Sequence, residues 1–452
     1  MLHDAVDVVI VGAGVAGLAA GRALREAGVD IAIVEARERL GGRIFTQRDA
    51  EVPVPIELGA EFVHGRAPEL HEIAREAKLL IYDVCDADGG RWRSSNGAFR
   101  PLEGFWEQLD QVMRRLDAKR EPDRSFQAFL DSRPGGRRLA RQRALALQFV
   151  EGFHGADPRR ASERALADGG SPGDDEQERR LGRVLDGYES VPRWLAQSIG
   201  DRIRFGAIAT RVAWKRKHVE LELRTPGGGA TSGVVAKAAI VSVPLGVLKA
   251  PAGEPGAIAF DPPLERDGIK RDALLGLEMG TVVRVVLRTR DRFWASERFA
   301  RRMKEQSFEG LAFLHTSDEH FPVWWTPFPV RAPLLVAWSG GPRAHALSRL
   351  TPQRIMELAV DALGRQFGLT RRQARSEVQA TWVHDWQGDA FARGAYSYMV
   401  VGANDAPAQL ARPLGGTLFF AGEASDAEGR TGTVHGAIAT GRRAARQVIR
   451  AL

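Results

Sequence analysis

Residues 8–17, "VVIVGAGVAG", constrain the fold more than any other stretch of this chain. Four branched apolar residues read as a strand buried on both faces, and the Ala- and Leu-rich segment after the glycines reads as a helix. Gly12, Gly14 and Gly17 stand between them in G-x-G-x-x-G spacing. The first allows a tight turn, the second lets a pyrophosphate approach the backbone, and the third permits close helix–strand packing. A second buried strand, "IAIVE", ends on Glu35, an acid at the distance suited to ribose hydroxyls. Together these predict a strand–turn–helix–strand unit that binds a dinucleotide. They leave NAD and FAD both open.

The rest of the 452 residues gives room for a second domain. Hydrophobic residues at 44% and charged residues at 27% suit a globular protein. No apolar run reaches the length of a membrane span. The N-terminus reads as a strand rather than a signal peptide, and "GRRAARQVIRAL" ends the chain without a hydrophobic tail. A cytoplasmic location without a membrane partner is therefore expected, and the Ala-, Arg- and Gly-heavy composition suggests a bacterial source. The sole cysteine, Cys85, excludes an internal disulfide and a multi-cysteine metal site, and is expected to be a small buried residue. No metal ligands are assigned. The net charge of +7 rests on arginines scattered along helices, with no reader motif, so no nucleic-acid partner is expected.

Helical patterns cover 68–80, 103–118 and 137–150, with a looser "RASERALA", before a polar break at 168–180. β patterns return around 201–225, and "HVELELRT" alternates with period two. "AAIVSVPLGVL" is a further buried strand. A helix over 352–367, strands near 377–383 and 417–421, and a final helix from about 433 complete the chain. The expected class is α/β, a Rossmann-type nucleotide domain interleaved with an α+β substrate domain. The first is assembled from 1–75, 200–275 and 384–452; the second comprises 76–199 and 276–383.

Five further motifs narrow the reading. "EARERLGGRIFT" places Arg37, Gly41, Gly42 and Arg43 just after the ribose acid, where exposed N–H groups and a guanidinium suit a second phosphate region. "ELGAEFVHG" spans 57–65 and "VPLGVLK" spans 243–249. "DWQGDAFARGAYSYMVVG" and "LFFAGEASDAEGRTGTVHGAIATGRRAA" follow near the C-terminus. With these, nearly the whole chain resembles the flavin-containing amine oxidase family, which includes monoamine oxidases, polyamine oxidases and lysine-specific histone demethylases. Its motifs are closest to those of the polyamine-oxidase-like members.

The resemblance implies a glutathione-reductase-like FAD fold. It implies cofactor contacts from Gly12, Gly14, Gly17, Glu35, Arg37, Gly41, Gly42, Arg43, Gly59, Ala60, Glu61, Phe62, Val212, Trp386, Gly422, Glu423, Thr433, Val434 and Ala437. Glu423, just after a buried strand, is placed to hold a ribityl hydroxyl. The turn Gly432–Thr433–Val434 leads into a helix whose positive end suits flavin N1 and O2. His435 is read as packing at the cofactor's edge. Monoamine oxidases link FAD to a cysteine where this chain has Ala395, so noncovalent FAD is expected. Their aromatic pair around the amine is here Tyr396 and Thr433; Trp386 joins Tyr396 as an aromatic wall. His64 either hydrogen-bonds the amine or is an ordinary loop histidine. No inserted helical tower is visible, which speaks against histone demethylation.

One residue departs from the family. In "GLEMGTVVRVVLRT" five of the six residues from Val282 to Leu287 are Val or Leu, and the sixth is Arg284. The family carries lysine there, which binds a water beside flavin N5 and assists reaction with oxygen. Arg284 is thus expected to face N5, directly or through water; the alternative is a buried arginine paired with a structural carboxylate. The resemblance implies oxidation of a primary or secondary amine, polyamine or monoamine, to an imine by hydride transfer, with oxygen or another acceptor restoring FAD. A dehydrogenase or desaturase on a non-amine substrate, or a flavin-binding protein without turnover, stays open. So do the amine, the acceptor and the oligomeric state.

Overall fold

The computed structural model describes residues 3–84, 90–93, 99–101, 104–169, 177, 179–227, 232–303, 308–403 and 405–452. Cys85 and most of the polar break at 168–180 lie outside them.

The strand His3–Val11 forms the centre of an eight-stranded sheet. It pairs in parallel with Ile31–Val34 on one side and Ser232–Val241 on the other. Leu418–Phe420 pairs in parallel with Ser232–Val241, whereas Ile208–Lys215 and His218–Arg224 continue the sheet antiparallel. Val8, Val9, Ile10 and Val11 are all buried, as a parallel strand covered on both faces requires. Register aligns Val11 with Val34 and with Val241, so the residues that follow each strand (Gly12, Glu35 and Ser242) emerge at one edge. That edge is the carboxyl end of the parallel strands, where α/β sheets bind ligands.

One face of this sheet is covered by the helix Val15–Glu26 and the final helix Val434–Ala451, packed through Ala16, Ala20, Ala444, Ala445 and Val448. Small residues on both helices let the backbones approach closely. Tyr188, Val191, Leu195 and Ile199 join the same cluster, although they fall in the stretch expected to belong to the substrate domain.

A second, seven-stranded sheet runs in the order 378–383, 282–289, 334–340, 323–325, 313–315, 90–93, 99–101. Period-two alternation sorts the strand Val282–Thr289: Val283, Val285 and Leu287 enter the core beneath the helix Pro352–Gln366, while Arg284 leaves toward the opposite side. The ribbon formed by Leu277–Met279 and Ser397–Met399 stands between the two large sheets in sequence. Helices Phe105–Met113 and Ala140–Phe153 pack together in a further cluster. Three short strands around the helical stretch, Phe62–His64, Ile81–Asp83 and Leu181–Val184, form a small sheet of their own. Runs of three or four residues are too short to show a period in sequence.

Candidate functional site

One cleft of about 1840 Å³ is lined by residues of both large sheets and of the helices Phe105–Met113 and Ala140–Phe153. One end of it is built by the glycine turn. Gly12 has φ +105°, a left-handed conformation that favours glycine. A Cβ on Gly17 would lie 2.0 Å from the Gly12 carbonyl oxygen, so helix and strand meet there backbone to backbone. Gly14 lines the cleft with open space where its Cβ would be, and no side chain caps the helix that it begins. The carboxylate of Glu35 accepts hydrogen bonds from Ala13 N–H at 2.8 Å and Arg37 N–H at 2.9 Å, which ties the second strand to the turn.

Ion pairs join the two ends of the chain around this cradle. Arg37 donates to both oxygens of Asp389 at 2.7 and 2.8 Å. Arg43 donates to Glu423 and to the Ala395 carbonyl, each at 2.7 Å. The other oxygen of Glu423 accepts from Ser397 Oγ at 2.7 Å and from Gly432 N–H at 3.0 Å. Thr433 Oγ1 caps the final helix by accepting from Gly436 N–H at 3.0 Å. The first-turn N–H groups of Val434 and His435 stay outside the helical ladder, beside the cleft.

The middle of the cleft holds Arg284. Its side chain is 4% exposed, donates to Gly59 O at 2.7 Å, and is ion-paired with Glu61. A second buried guanidinium, Arg183, reaches Glu61 at 2.6 Å, and Trp325 Nε1 donates to the same carboxylate at 3.0 Å. Two arginines thus share one acid. Arg183 was not singled out from the sequence, yet it carries the same signal as Arg284: a lone arginine inside a short apolar strand, "LGRV". Desolvation draws both guanidinium pKa values down to about 10.

Below them, Glu57 accepts from Tyr188 N–H at 2.8 Å and Thr46 Oγ at 2.7 Å, and burial pushes its carboxyl up to about 7. Its ordinary value is 4.5. Between those two values the folded chain holds a proton that the unfolded chain releases. Stability is therefore expected to fall as pH rises from about 4.5 through about 7. Urea midpoints at pH 5 and pH 8 should show a smaller loss in Glu57→Gln than in the parent; equal losses would assign the slope to another group.

Beyond Arg284 the cleft is aromatic. Trp386 Nε1 donates to Leu58 O at 2.8 Å, and Tyr396 hydroxyl donates to Phe153 O at 2.8 Å. Phe62 and His64 line the cleft from the first strand of the three-stranded sheet. His64, His154, His315 and His435 are all held near 4, chiefly by burial, and are neutral at pH 7. Nearly all the residues expected at the cofactor and substrate do line this cleft, including Gly41, Gly42, Gly59, Ala60, Gly422 and Ala437. Gly17 is the packing glycine just described. Val212 is a correction: it is fully buried in the core beneath the first sheet, and Ala207, Ile208 and Ala209 of the same segment line the cleft instead. A valine facing the interior of a strand is not distinguishable by pattern from one facing a ligand. Among the described residues no group of His, Cys, Asp and Glu could hold a metal ion, and no helix is long and apolar enough to cross a membrane.

A doubly wound sheet with a glycine turn, an acid after its second strand and an aromatic chamber opening from the same cleft defines a dinucleotide-dependent oxidoreductase architecture. More narrowly, the family model "Flavin containing amine oxidoreductase" matches residues 15–449, and the chain belongs to that family. It is an amine oxidoreductase. It is 28% identical over 470 residues to polyamine oxidase 2 of Arabidopsis thaliana, across 97% of this chain and 87% of that protein. Lysine-specific histone demethylase 1 homolog 3 of the same plant is 26% identical across 99% of this chain but only 30% of its own length. Among solved structures, putrescine oxidase bound to putrescine shares the fold, with TM-score 0.79 and 23% identity over 99% of this chain and 100% of that one. Cyclohexylamine oxidase from Brevibacterium oxydans IH-35A does so with TM-score 0.76 and 20% identity, over 98% and 99% of the two chains.

Proposed function

We propose that this protein binds FAD noncovalently in the cleft and oxidises a small amine to an imine. The observation that carries the reading is the continuity of one cleft from the uncapped glycine turn to the aromatic chamber. The residues fit the cofactor: the open space at Gly14 and the free first turn suit a diphosphate, and Ala395 offers no sulfur for a covalent link. Glu35, Arg37, Arg43 and Glu423 would hold its polar parts, with Val434 and His435 N–H groups at the positive end of the final helix. When bound, FAD supplies two-electron oxidation of the amine's α C–H, with oxygen or another acceptor taking the electrons.

The chain's own groups do the rest. Trp386 and Tyr396 line the cleft with their polar atoms committed to backbone carbonyls, which leaves the rings as the parts that would meet an amine. The apolar chamber favours the neutral form of an amine, which is the form that gives up hydride. Arg284 keeps a fixed positive charge at the centre of the cleft, anchored by Glu61 and Gly59. The discontinuous division into a nucleotide domain and a substrate domain is part of the same proposal.

The test is the flavin spectrum of the purified protein, mixed without air with monoamines, polyamines and amino acids. Bleaching by an amine supports the proposal. Bleaching only by a polyene or a porphyrinogen would overturn it. On admission of air, Arg284→Lys is expected to reoxidise faster than the parent, because a compact ammonium leaves room for water where the guanidinium does not. An unchanged or slower rate would show that Arg284 does not restrain oxygen.

A further inference from the structure

We infer that the substrate is a monoamine with a bulky apolar body, an arylalkylamine rather than a linear diamine or polyamine. This rests on the amine-oxidation reading and narrows it. The chamber wall is made of rings. Phe149 and Phe153 stack at 4.9 Å with 11° between planes, and Trp106 meets Phe149 edge-on at 6.1 Å. His315 lies 5.2 Å from Phe105, and Trp338 lies 5.4 Å from Trp325. Phe153 remains 46% exposed despite its stack, while its carbonyl is fixed by Tyr396. A large apolar face held rigidly in a cleft is surface that an apolar ligand can cover.

Among the described residues, the acids that line the chamber point the same way. A second ammonium would need a carboxylate to receive it. Glu61 is shared by Arg183, Arg284 and the Trp325 indole N–H. Glu107 is paired with Arg179 at 3.0 Å and is 62% exposed. Asp168, the last residue of the helix Glu163–Asp168, is exposed to solvent. To use Glu61, a distal ammonium would have to displace a buried guanidinium and approach a pair of arginines that outnumber the acid. His154 and His315, neutral at pH 7, add polar edges without charge.

The experiment compares 2-phenylethylamine, hexylamine and 1,4-diaminobutane with the FAD-loaded protein in the absence of air. Flavin bleaching gives the reduction rate. Saturation of the tryptophan fluorescence change gives binding separately. The aryl amine is expected to exceed the diamine in rate over dissociation constant by roughly 10- to 100-fold, the worth of burying one ring. Phe153→Ala should weaken 2-phenylethylamine binding about tenfold and leave hexylamine nearly unchanged. Bleaching by 1,4-diaminobutane in preference to the aryl amine overturns this inference and leaves amine oxidation standing. No bleaching by any of the three also overturns this inference, while amine oxidation itself falls only if the wider panel of monoamines, polyamines and amino acids leaves the flavin oxidised.

Discussion

Glu61→Ala is expected to destabilise the protein by roughly 3–5 kcal/mol, the usual cost of stripping the partner from a buried charge. The reason is the number of groups that depend on it. Arg183 and Arg284 are 6% and 4% exposed, and both direct guanidinium nitrogens at this one carboxylate. Arg183 retains the carbonyls of Phe328 and Thr326, and Arg284 retains that of Gly59, but these neutral acceptors do not cancel two charges. Glu61→Gln should lose less, since an amide oxygen can still accept from one guanidinium. Replacing all three residues together by Met or Leu should recover much of the loss, because a well-packed apolar trio removes the desolvation cost altogether. The urea midpoint of each variant checks this. A Glu61→Ala protein with the parent's midpoint would mean that the arginines find other partners at no cost.

Gly17→Ala is expected to abolish cofactor retention. An added methyl would lie 2.0 Å from the Gly12 carbonyl oxygen and 2.7 Å from Ser242 Oγ. The first contact is with backbone, so relief requires the helix Val15–Glu26 to lift from the strand that it follows. That movement opens the glycine turn and displaces the helix N-terminus from the cleft. The ratio of flavin absorbance to protein absorbance after purification should fall more than about tenfold, with overpacking strain of about 1–3 kcal/mol or more appearing as a lower urea midpoint. Gly28→Ala is a useful contrast: nothing lies within 4 Å of its Cβ position, so only its left-handed φ of +77° is strained, and flavin should be retained. Full flavin content in Gly17→Ala would show that the close approach is not what holds the cradle.

The end of the cleft built by the glycine turn was largely legible in the sequence, because each part rests on local residues. Gly12, Gly14, Glu35 and Gly42 sit within three dozen residues of one another, and all line the cleft. The opening residues of the final helix were equally plain. The middle of the site was legible only in part. Arg284 stood out because a charge interrupts an apolar run, but its partner could not be read from spacing: Glu61 lies 223 positions away. Arg183 interrupts a shorter apolar run and Asp389 interrupts none, and the role of each is fixed only by a contact across the fold. The aromatic end of the cleft was least legible. Phe149 and Phe153 follow the helical spacing of ordinary core residues, and nothing in that spacing says that one ring face is left uncovered.

The two ends of the chain meet around one cradle, and this sets an order of events at the ribosome. The strand Leu418–Phe420, the acid Glu423 and the helix that lies on Val15–Glu26 all belong to the last 35 residues. Until they are synthesised, the N-terminal glycine turn has its helix but lacks the cover of that helix, and Arg43 lacks its acid. A cofactor held by this cradle would therefore have to wait for residues 418–452, and until they emerge the Val- and Ile-rich central strands must be kept from neighbouring chains.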